Sequence, residues 1–445
     1  MRKLLLVTSI ALLIVLSVFV AACGSSSTST TAVTNATTTA PPTTAPATTA
    51  PPASVTTAPA SGETSTSAAA ATGEPIKIGH IIDLTGPEAV VGKEMQSSLK
   101  YAFDSMNSQI GGRPVQVIIG DAQGLPATAV DVAKKMVESD KVVAIFGPTQ
   151  IGEKTAVANY LKSVGIPMML YNPSPMQAFQ DNKWVVASGG SSVQNPTCMA
   201  DYMYNQLHYT KIVTLTQDNT AGRAFMTPLT DAFTKLGGTV VQQEWVPVPT
   251  PDFSSYLSSL KAADALVAWD TGSDAIALLT QWHQLGIDKK LPMIAAFHGG
   301  FLDPFIPAAM AEADGAAVVG SLAPSVYSPD SQDAVNQAFV QGFTKVLGFP
   351  PSDEGASGPY QAALLFQAAV TATNGDTTPD KLIAAIFASK INGPEGPMSF
   401  EAGQQAATKN IYILKVAQVP NVAKTFMYTT VYTYKDVPAT GYAGK

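Results

Sequence analysis

The sequence predicts an α/β protein made of two doubly wound parallel-sheet lobes with a cleft between them. Three observations predict it. Short apolar runs alternate with segments of helical periodicity from residue 76 onward. A second series of the same kind begins after Gly189-Gly190. The breaks that follow the apolar runs are polar or rich in glycine and proline, and in a parallel sheet such breaks gather at the carboxyl ends of the strands, where open α/β sheets bind ligands.

The stretch Val142 to Ser174 shows the pattern most fully. An apolar run, Val142 to Phe146, breaks at Gly147-Pro148. Ala156, Tyr160, Leu161 and Val164 then fall at helical spacing, and a second apolar run, Ile166 to Leu170, breaks at Asn172-Pro173. This is a βαβ unit whose two breaks, Gly147 to Gly152 and Tyr171 to Ser174, lie side by side. Before it, Ile76 to Asp83 reads as a buried strand and Val91 to Ser108 as a helix with Met95, Leu99, Ala102 and Phe103 on one face. Pro114 to Asp121 reads as a strand, and Leu125 to Ser139 as a helix.

In the second series, helices are expected at Asn195 to Leu207, Ala224 to Leu236, Phe253 to Ala262 and Ala275 to Leu285. Strands are expected at Lys211 to Thr216, Thr239 to Val246, Ala265 to Trp269, Pro292 to Ala296 and Ala316 to Ser321. Polar breaks fall at Gln217 to Gly222, Asp270 to Gly272 and Phe297 to Gly300. Helices at Ala334 to Leu347, Pro359 to Thr373 and Pro379 to Phe387 are expected to return to the first lobe. Extended pieces at Ser399, Ile411 to Val416 and Thr425 to Tyr434 are expected to return to the second. The lobes are accordingly drawn at 75–190 with 322–396, and at 191–321 with 397–445.

The chain has 445 residues, 46% hydrophobic and 13% charged, with a formal net charge of −7. It has no basic run, so nucleic acid is excluded as a partner. Of its two cysteines only Cys198 lies in the folding part, so no intrachain disulfide is expected, and no cysteine pair has zinc-ligand spacing. His80, His208, His283 and His298 are scattered, and all but His298 read as core or surface histidines. The chain carries no His-Glu-x-x-His, phosphate-binding loop or Gly-x-Ser-x-Gly elbow. Neither catalysis nor a cofactor is expected.

Met1-Arg2-Lys3 is a basic start, Leu4 to Val20 an apolar run, and Val20-Ala21-Ala22-Cys23 a small-residue cleavage pattern. This reads as a secretory signal at 1–23. Its end resembles a bacterial lipobox, which implies lipidation of Cys23 and a membrane anchor outside the cytoplasm. Residues 24–74 are almost wholly Thr, Ser, Ala and Pro, with Glu63 the lone charge before Gly73. Such a tract buries no core and is expected to be a disordered tether. Its ends would lie on the order of 40 Å apart.

Five places from Ile76 to Val416 resemble the leucine/isoleucine/valine-binding family, the type I periplasmic receptors of branched-chain amino acid ABC transporters. They are Ile78-Gly79 with Leu84-Thr85-Gly86-Pro87; Met106-Asn107 through Gly111-Gly112-Arg113-Pro114-Val115; Asp121 to Ala133 with Val142 to Pro148; Gly358-Pro359-Tyr360; and Gly393-Pro394 followed by Ser399-Phe400-Glu401-Ala402-Gly403. The resemblance implies two lobes joined by a three-strand hinge. It also implies a small-molecule ligand held between the lobes, closure on that ligand, and docking on a transporter permease. A ligand-sensing partner of a signalling protein is the alternative on the same fold.

In that family the loops matching Thr149-Gln150-Ile151-Gly152 and Asn172-Pro173-Ser174 hold the ligand carboxylate. The chemistry suits them, because uncompensated N–H groups at a helix start favour an anion, although Gly-Pro and Asn-Pro are equally ordinary turn makers. The facing lobe departs from the pattern. Ala221-Gly222 stands where the family commonly has Tyr-Gly, and Phe297-His298-Gly299-Gly300 stands where it has an acidic residue for the ligand's amino group. Asp218 or Asp270, beside Thr271, is a candidate replacement, although Asp270 equally suits a helix cap. Failing that, Tyr171, Trp269, Phe297 and His298 would line a pocket for an aromatic or other amino-free acid, or an amide. For Trp269 and Phe297 an ordinary place in the core is an equal alternative.

Overall fold

A computed structural model describes residues 73–86, 88–298, 318–418 and 426–444. The signal and lipobox, nearly all of the tether, Pro87, Gly299-Gly300 and the start of the strand expected at Ala316 to Ser321 lie outside the described residues. The described residues belong to one compact unit, Thr66–Lys445.

The first lobe is built on β1 (Ile76–Ile82), α1 (Ala89–Ser105), β2 (Gln109–Ile110), β3 (Arg113–Asp121), α2 (Pro126–Lys135), β4 (Ala144–Phe146), α3 (Ile151–Val164), β5 (Met168–Leu170) and β6 (Val185–Ala187). These strands form one sheet in the order β2-β3-β1-β4-β5-β6, parallel except at the short β2 edge. Because β1 lies between β3 and β4 with helices on both faces, it is a buried and mainly apolar run, interrupted by Lys77 and His80. The predicted stripe Met95, Leu99, Ala102 and Phe103 is the face of α1 that is buried.

Two close approaches set this lobe's rim. Gly147 has φ +80°, and a Cβ there would lie 2.2 Å from the Ile81 carbonyl oxygen. A Cβ on Gly92 would lie 1.9 Å from the Asp83 carbonyl oxygen. Glycine at both positions lets β4 and α1 press against the end of β1.

The second lobe uses α4 (Gln194–Asp201), β7 (Lys211–Gln217), α5 (Thr220–Lys235), β8 (Thr239–Val246), α6 (Ser254–Ser258), β9 (Ala265–Trp269), α7 (Gly272–Gln284), β10 (Met293–Ala295) and β11 (Leu322–Ser325). The chain then leaves through α8 (Ala334–Leu347), α9 (Gly358–Ala372) and α10 (Pro379–Ala388). Ala362, Phe366 and Leu382 of α9 and α10 pack in the same core as β1 and α1. Strands β12 (Ile391–Gly393), β13 (Gly396–Ser399), β14 (Thr408–Gln418) and β15 (Phe426–Val437) return to the second sheet, where β15 pairs with β14.

Several expectations are corrected. The second sheet is parallel only from β8 through β7, β9 and β10 to β11; β14 joins it antiparallel, and β12 to β15 run as antiparallel neighbours. Among the described residues no helix separates those last strands, and each doubles back on the one before. The strand expected to end at Ser321 instead begins at Leu322, because Gly320 turns the chain with φ +96°. The helix expected from Ala224 starts at Thr220, which makes Ala221-Gly222 its first turn and not a loop.

The chain crosses between the lobes after β6, after β11 and before β12. A buried polar cluster ties these crossings together. Lys409 on β14 forms an ion pair with Glu395 in the β12–β13 turn and donates to the Ser188 carbonyl at 3.1 Å. Ser357 donates to Glu395 Oε1 at 2.8 Å, and Ser325 on β11 donates to Asp353 at 2.6 Å. Burial pushes the Glu395 carboxyl up, and the Lys409 charge pulls it back. Removing one partner strands the other in an apolar interior. Lys409→Met is expected to cost about 3–5 kcal/mol in denaturant unfolding, while joint replacement of Lys409 and Glu395 by apolar residues costs much less.

Candidate functional site

Four of the described helices begin at one cavity between the lobes. Its lining includes Glu88, the residue before α1; Gln150 and Ile151 at the start of α3; Asn219 and Ala221 at the start of α5; and Thr271, the residue before α7. Thr149, Lys154, Asn172, Pro173, Phe225, Trp269 and Phe297 complete it. The cavity offers about 100 Å³ to water. Each helix contributes N–H groups with no partner inside its own first turn, so the surroundings favour negative charge.

The first-lobe wall is polar. Gln150 and Glu153 form a capping box at α3, with the Gln150 N–H 3.4 Å from Glu153 Oε2. Lys154 follows Gln150 by four residues, so the two share a helix face. Its ammonium, buried but at the cavity, donates to Ser174 Oγ at 3.1 Å, and Ser174 in turn donates to the Asn172 carbonyl at 2.9 Å. Thr149 donates to Met95 Sδ at 3.4 Å.

The second-lobe wall is largely aromatic. Phe225 stacks on Phe297 with ring centres 4.6 Å apart and lies 5.2 Å from Trp269. Asn219 caps α5 by accepting from the Gly222 N–H at 2.8 Å. Thr271 donates to Gln217 Oε1 at 3.4 Å.

Of the residues expected from sequence, Thr149, Gln150, Ile151, Asn172, Pro173, Ala221, Thr271 and Phe297 lie together on this lining, with Trp269 beside them. Five do not. Gly152 stands in α3 with its Cα facing Pro126. Ser174 lies behind Lys154, its hydroxyl engaged there. Asp218 points outward to Arg223, accepting at 2.6 and 2.9 Å. Asp270 is fully buried off the lining, its carboxyl driven well up by burial and then by Asp274, so it is held neutral. His298 lies off the lining, 3.1 Å from Asp353 and edge-on to the Tyr428 ring. Tyr171 bonds to His80 at 3.0 Å inside the first lobe, where burial lowers the His80 pKa to about 3 and keeps it neutral.

Glu88, Lys154, Asn219 and Phe225 were not foreseen. The i,i+4 step from Gln150 points to Lys154, and the same step from Ala221 points to Phe225 once α5 is started at Thr220.

A family model described as periplasmic binding protein matches residues 75–421. The Leu/Ile/Val-binding protein homolog 6 of Brucella melitensis is 26% identical over 361 residues, 80% of this chain and 90% of that one. The chain is a type I periplasmic binding protein of the branched-chain amino acid receptor family. An ABC transporter substrate-binding protein from Sphaerobacter thermophilus has the same fold, with a TM-score of 0.76 and 27% identity over 82% of this chain and 99% of that one. A solute-binding protein of an ABC transporter from Rhodopseudomonas palustris, solved with 3,4-dihydroxybenzoic acid, matches with a TM-score of 0.74 and 24% identity over 82% and 98%. Proteins of this family are extracytoplasmic receptors that hand small solutes to ABC transporters, and it is not an enzyme class.

Directly under the receptor's α3 loop, two buried carboxyl groups meet. Asp83 at the end of β1 and Glu153 hydrogen-bond to each other. Burial first, then the Asp83 charge, pushes Glu153 from an ordinary 4.5 up to about 8. The folded receptor therefore keeps a proton here that the unfolded chain gives up above pH 4.5. Stability is expected to fall as pH rises from about 4.5 to about 8, by at most about 1.4 kcal/mol per unit, and to level off above. Glu153→Gln keeps a neutral donor toward Asp83. In thermal unfolding from pH 5 to 9 it should flatten that fall, and an unchanged slope would place the proton elsewhere.

Proposed function

We propose that the receptor binds a small solute carrying a carboxylate and a compact apolar or aromatic body, and delivers it to the permease of an ABC importer. One observation carries the reading: an ammonium, Lys154, sits among helix N-termini on one wall of the cavity, facing the Phe225, Trp269 and Phe297 rings on the other. The anionic end belongs with Lys154, the Gln150 and Ile151 amides and the Thr149 and Asn172 side chains. The apolar end belongs against the rings. Because the two walls come from different lobes, ligand binding favours the closed arrangement, and the hinge motion reports occupancy to the permease. Binding and release are the receptor's whole task, with no bond made or broken.

A panel of small carboxylic acids and their amides, followed by thermal shift on the full-length chain in detergent, tests this. An acid at a hundred times its Kd adds about 2.7 kcal/mol of stability. Lys154→Met should weaken that acid about 10- to 100-fold. Stabilisation by amides and by none of the acids would overturn the carboxylate assignment.

We further propose that Cys23 carries a lipid at the outer face of the cell membrane and that residues 24–74 tether the lobes to it. A Cys23→Ser chain should be shed into the medium or keep its signal peptide. Membrane retention at the wild-type level, with normal processing, would contradict this.

A further inference from the structure

The cavity has two charged poles, and both belong to the first lobe. Among the described residues that line it, Glu88 and Lys154 are the two that carry charge. The second lobe's lining is Asn219, Ala221, Phe225, Trp269, Thr271 and Phe297, which offers amide, hydroxyl and rings but no carboxylate. Asp218 is spent on Arg223, and Asp270 is buried off the lining. Resting on the carboxylate reading above, we propose that Glu88 is the specificity-determining residue of this site. It selects a solute with an ammonium beside its carboxylate and does so from the first lobe.

The argument is one of charge complementarity. A cationic amine closed away from water needs an anionic partner. Glu88 is the carboxylate the cavity presents to it. A zwitterion satisfies Lys154 and Glu88 together. An acid lacking the amine brings a second negative charge against Glu88 and leaves that carboxyl without a cation. With both poles on one lobe, the head group is fixed before closure, and the second lobe contributes only cover for the side chain.

The surroundings of Glu88 add a linked effect. Asp83 from β1 faces it, with Glu153 from α3 against Asp83 and Asp121 from β3 also acting on Asp83. Lys154 shares the lining, and the Gln150 side chain hydrogen-bonds to Glu88. Burial, then the Asp83 charge, raises the affinity of Glu88 for a proton. An ammonium seated against Glu88 expels whatever share of that proton remains, so binding releases protons to solvent.

Isothermal titration of the full-length chain with two matched pairs tests the assignment: leucine against 4-methylpentanoate, and phenylalanine against 3-phenylpropanoate. It is run at pH 6 in two buffers of different ionisation enthalpy. For at least one pair the amino acid should bind wild-type protein at least about 30-fold more tightly than its deaminated partner, with proton release. Glu88→Gln should shrink that preference to within about threefold and abolish the proton release, while the deaminated acid, freed of the opposing charge, binds more tightly than to wild type. Glu88→Asp, which keeps the charge on a shorter arm, should keep part of the preference. Equal affinity for the members of both pairs on wild-type protein would overturn the proposal. So would a Glu88→Gln chain that folds normally and holds the amino acid as tightly as wild type. Either result, with a continued requirement for Lys154, leaves the carboxylate reading standing and removes Glu88 alone. Binding of neither amino acid would likewise overturn the Glu88 proposal, while the carboxylate reading is judged by the acid and amide panel.

Discussion

Each loop that builds the cavity leaves the carboxyl end of a parallel strand, and most of them then enter the first turn of a helix. β1 leads to Glu88 and α1, β4 to Gln150 and α3, β7 to Asn219 and α5, and β9 to Thr271 and α7. A crossover helix can return the chain to a parallel strand in only one sense, so these ends cannot scatter. They collect at one edge of each sheet, and the two edges face one another. The polarity of the site follows. Backbone N–H groups and the positive ends of helix dipoles point inward before any side chain is chosen. Lys154 strengthens a field that the backbone has already set.

Against that inward positive field stands an unusual amount of buried acid. Asp83, Glu153 and Glu88 cluster beneath and beside the α3 loop, and the first two share a hydrogen bond. Ionising all three in so little water would be costly, so burial and neighbouring carboxylates raise each of them and the cluster keeps a proton at Glu153 near neutral pH. The cluster therefore helps to hold the loop that receives the ligand while remaining responsive to charge arriving in the cavity. The crossings between the lobes follow the opposite rule. There Glu395 is matched by the Lys409 charge, and Asp353 is held by hydrogen bonds with Ser325 and His298, so the buried acids of the segments about which the lobes move each have a polar partner.

Much of the first lobe could be read from the sequence because its signals are local. Met95, Leu99, Ala102 and Phe103 fall on one face at helical spacing, and the structure buries that face. The αβ alternation behind Val142 to Ser174 is likewise a matter of period and punctuation. The second lobe was harder. Strand β14 pairs antiparallel with β11, far away in sequence, which no local period encodes. The start of α5 was misplaced because Asp218, Asn219 and Gly222 look like a loop, whereas Asn219 is a cap that begins the helix.

The site divides along the same line. By itself the sequence determined which loops meet, since Thr149 to Ile151 and Asn172-Pro173 follow strands that must be neighbours. It also determined that the usual acidic partner is missing after β10, because Phe297 and His298 stand there. Tertiary structure alone decided which side chains point into the space those loops enclose. Ser174 and Lys154 hydrogen-bond to each other, and of the two it is the longer side chain that lines the cavity. Asp270 and His298 sit one residue from Trp269 and Phe297, and in strand-like backbone successive side chains face opposite ways, so the rings reach the cavity and the polar neighbours do not. Glu88 enters from a different strand end altogether. Its place on the same lining as Lys154 depends on how closely α1 and the end of β4 approach β1, through glycines at 92 and 147 whose role is visible only once the backbones are seen to touch.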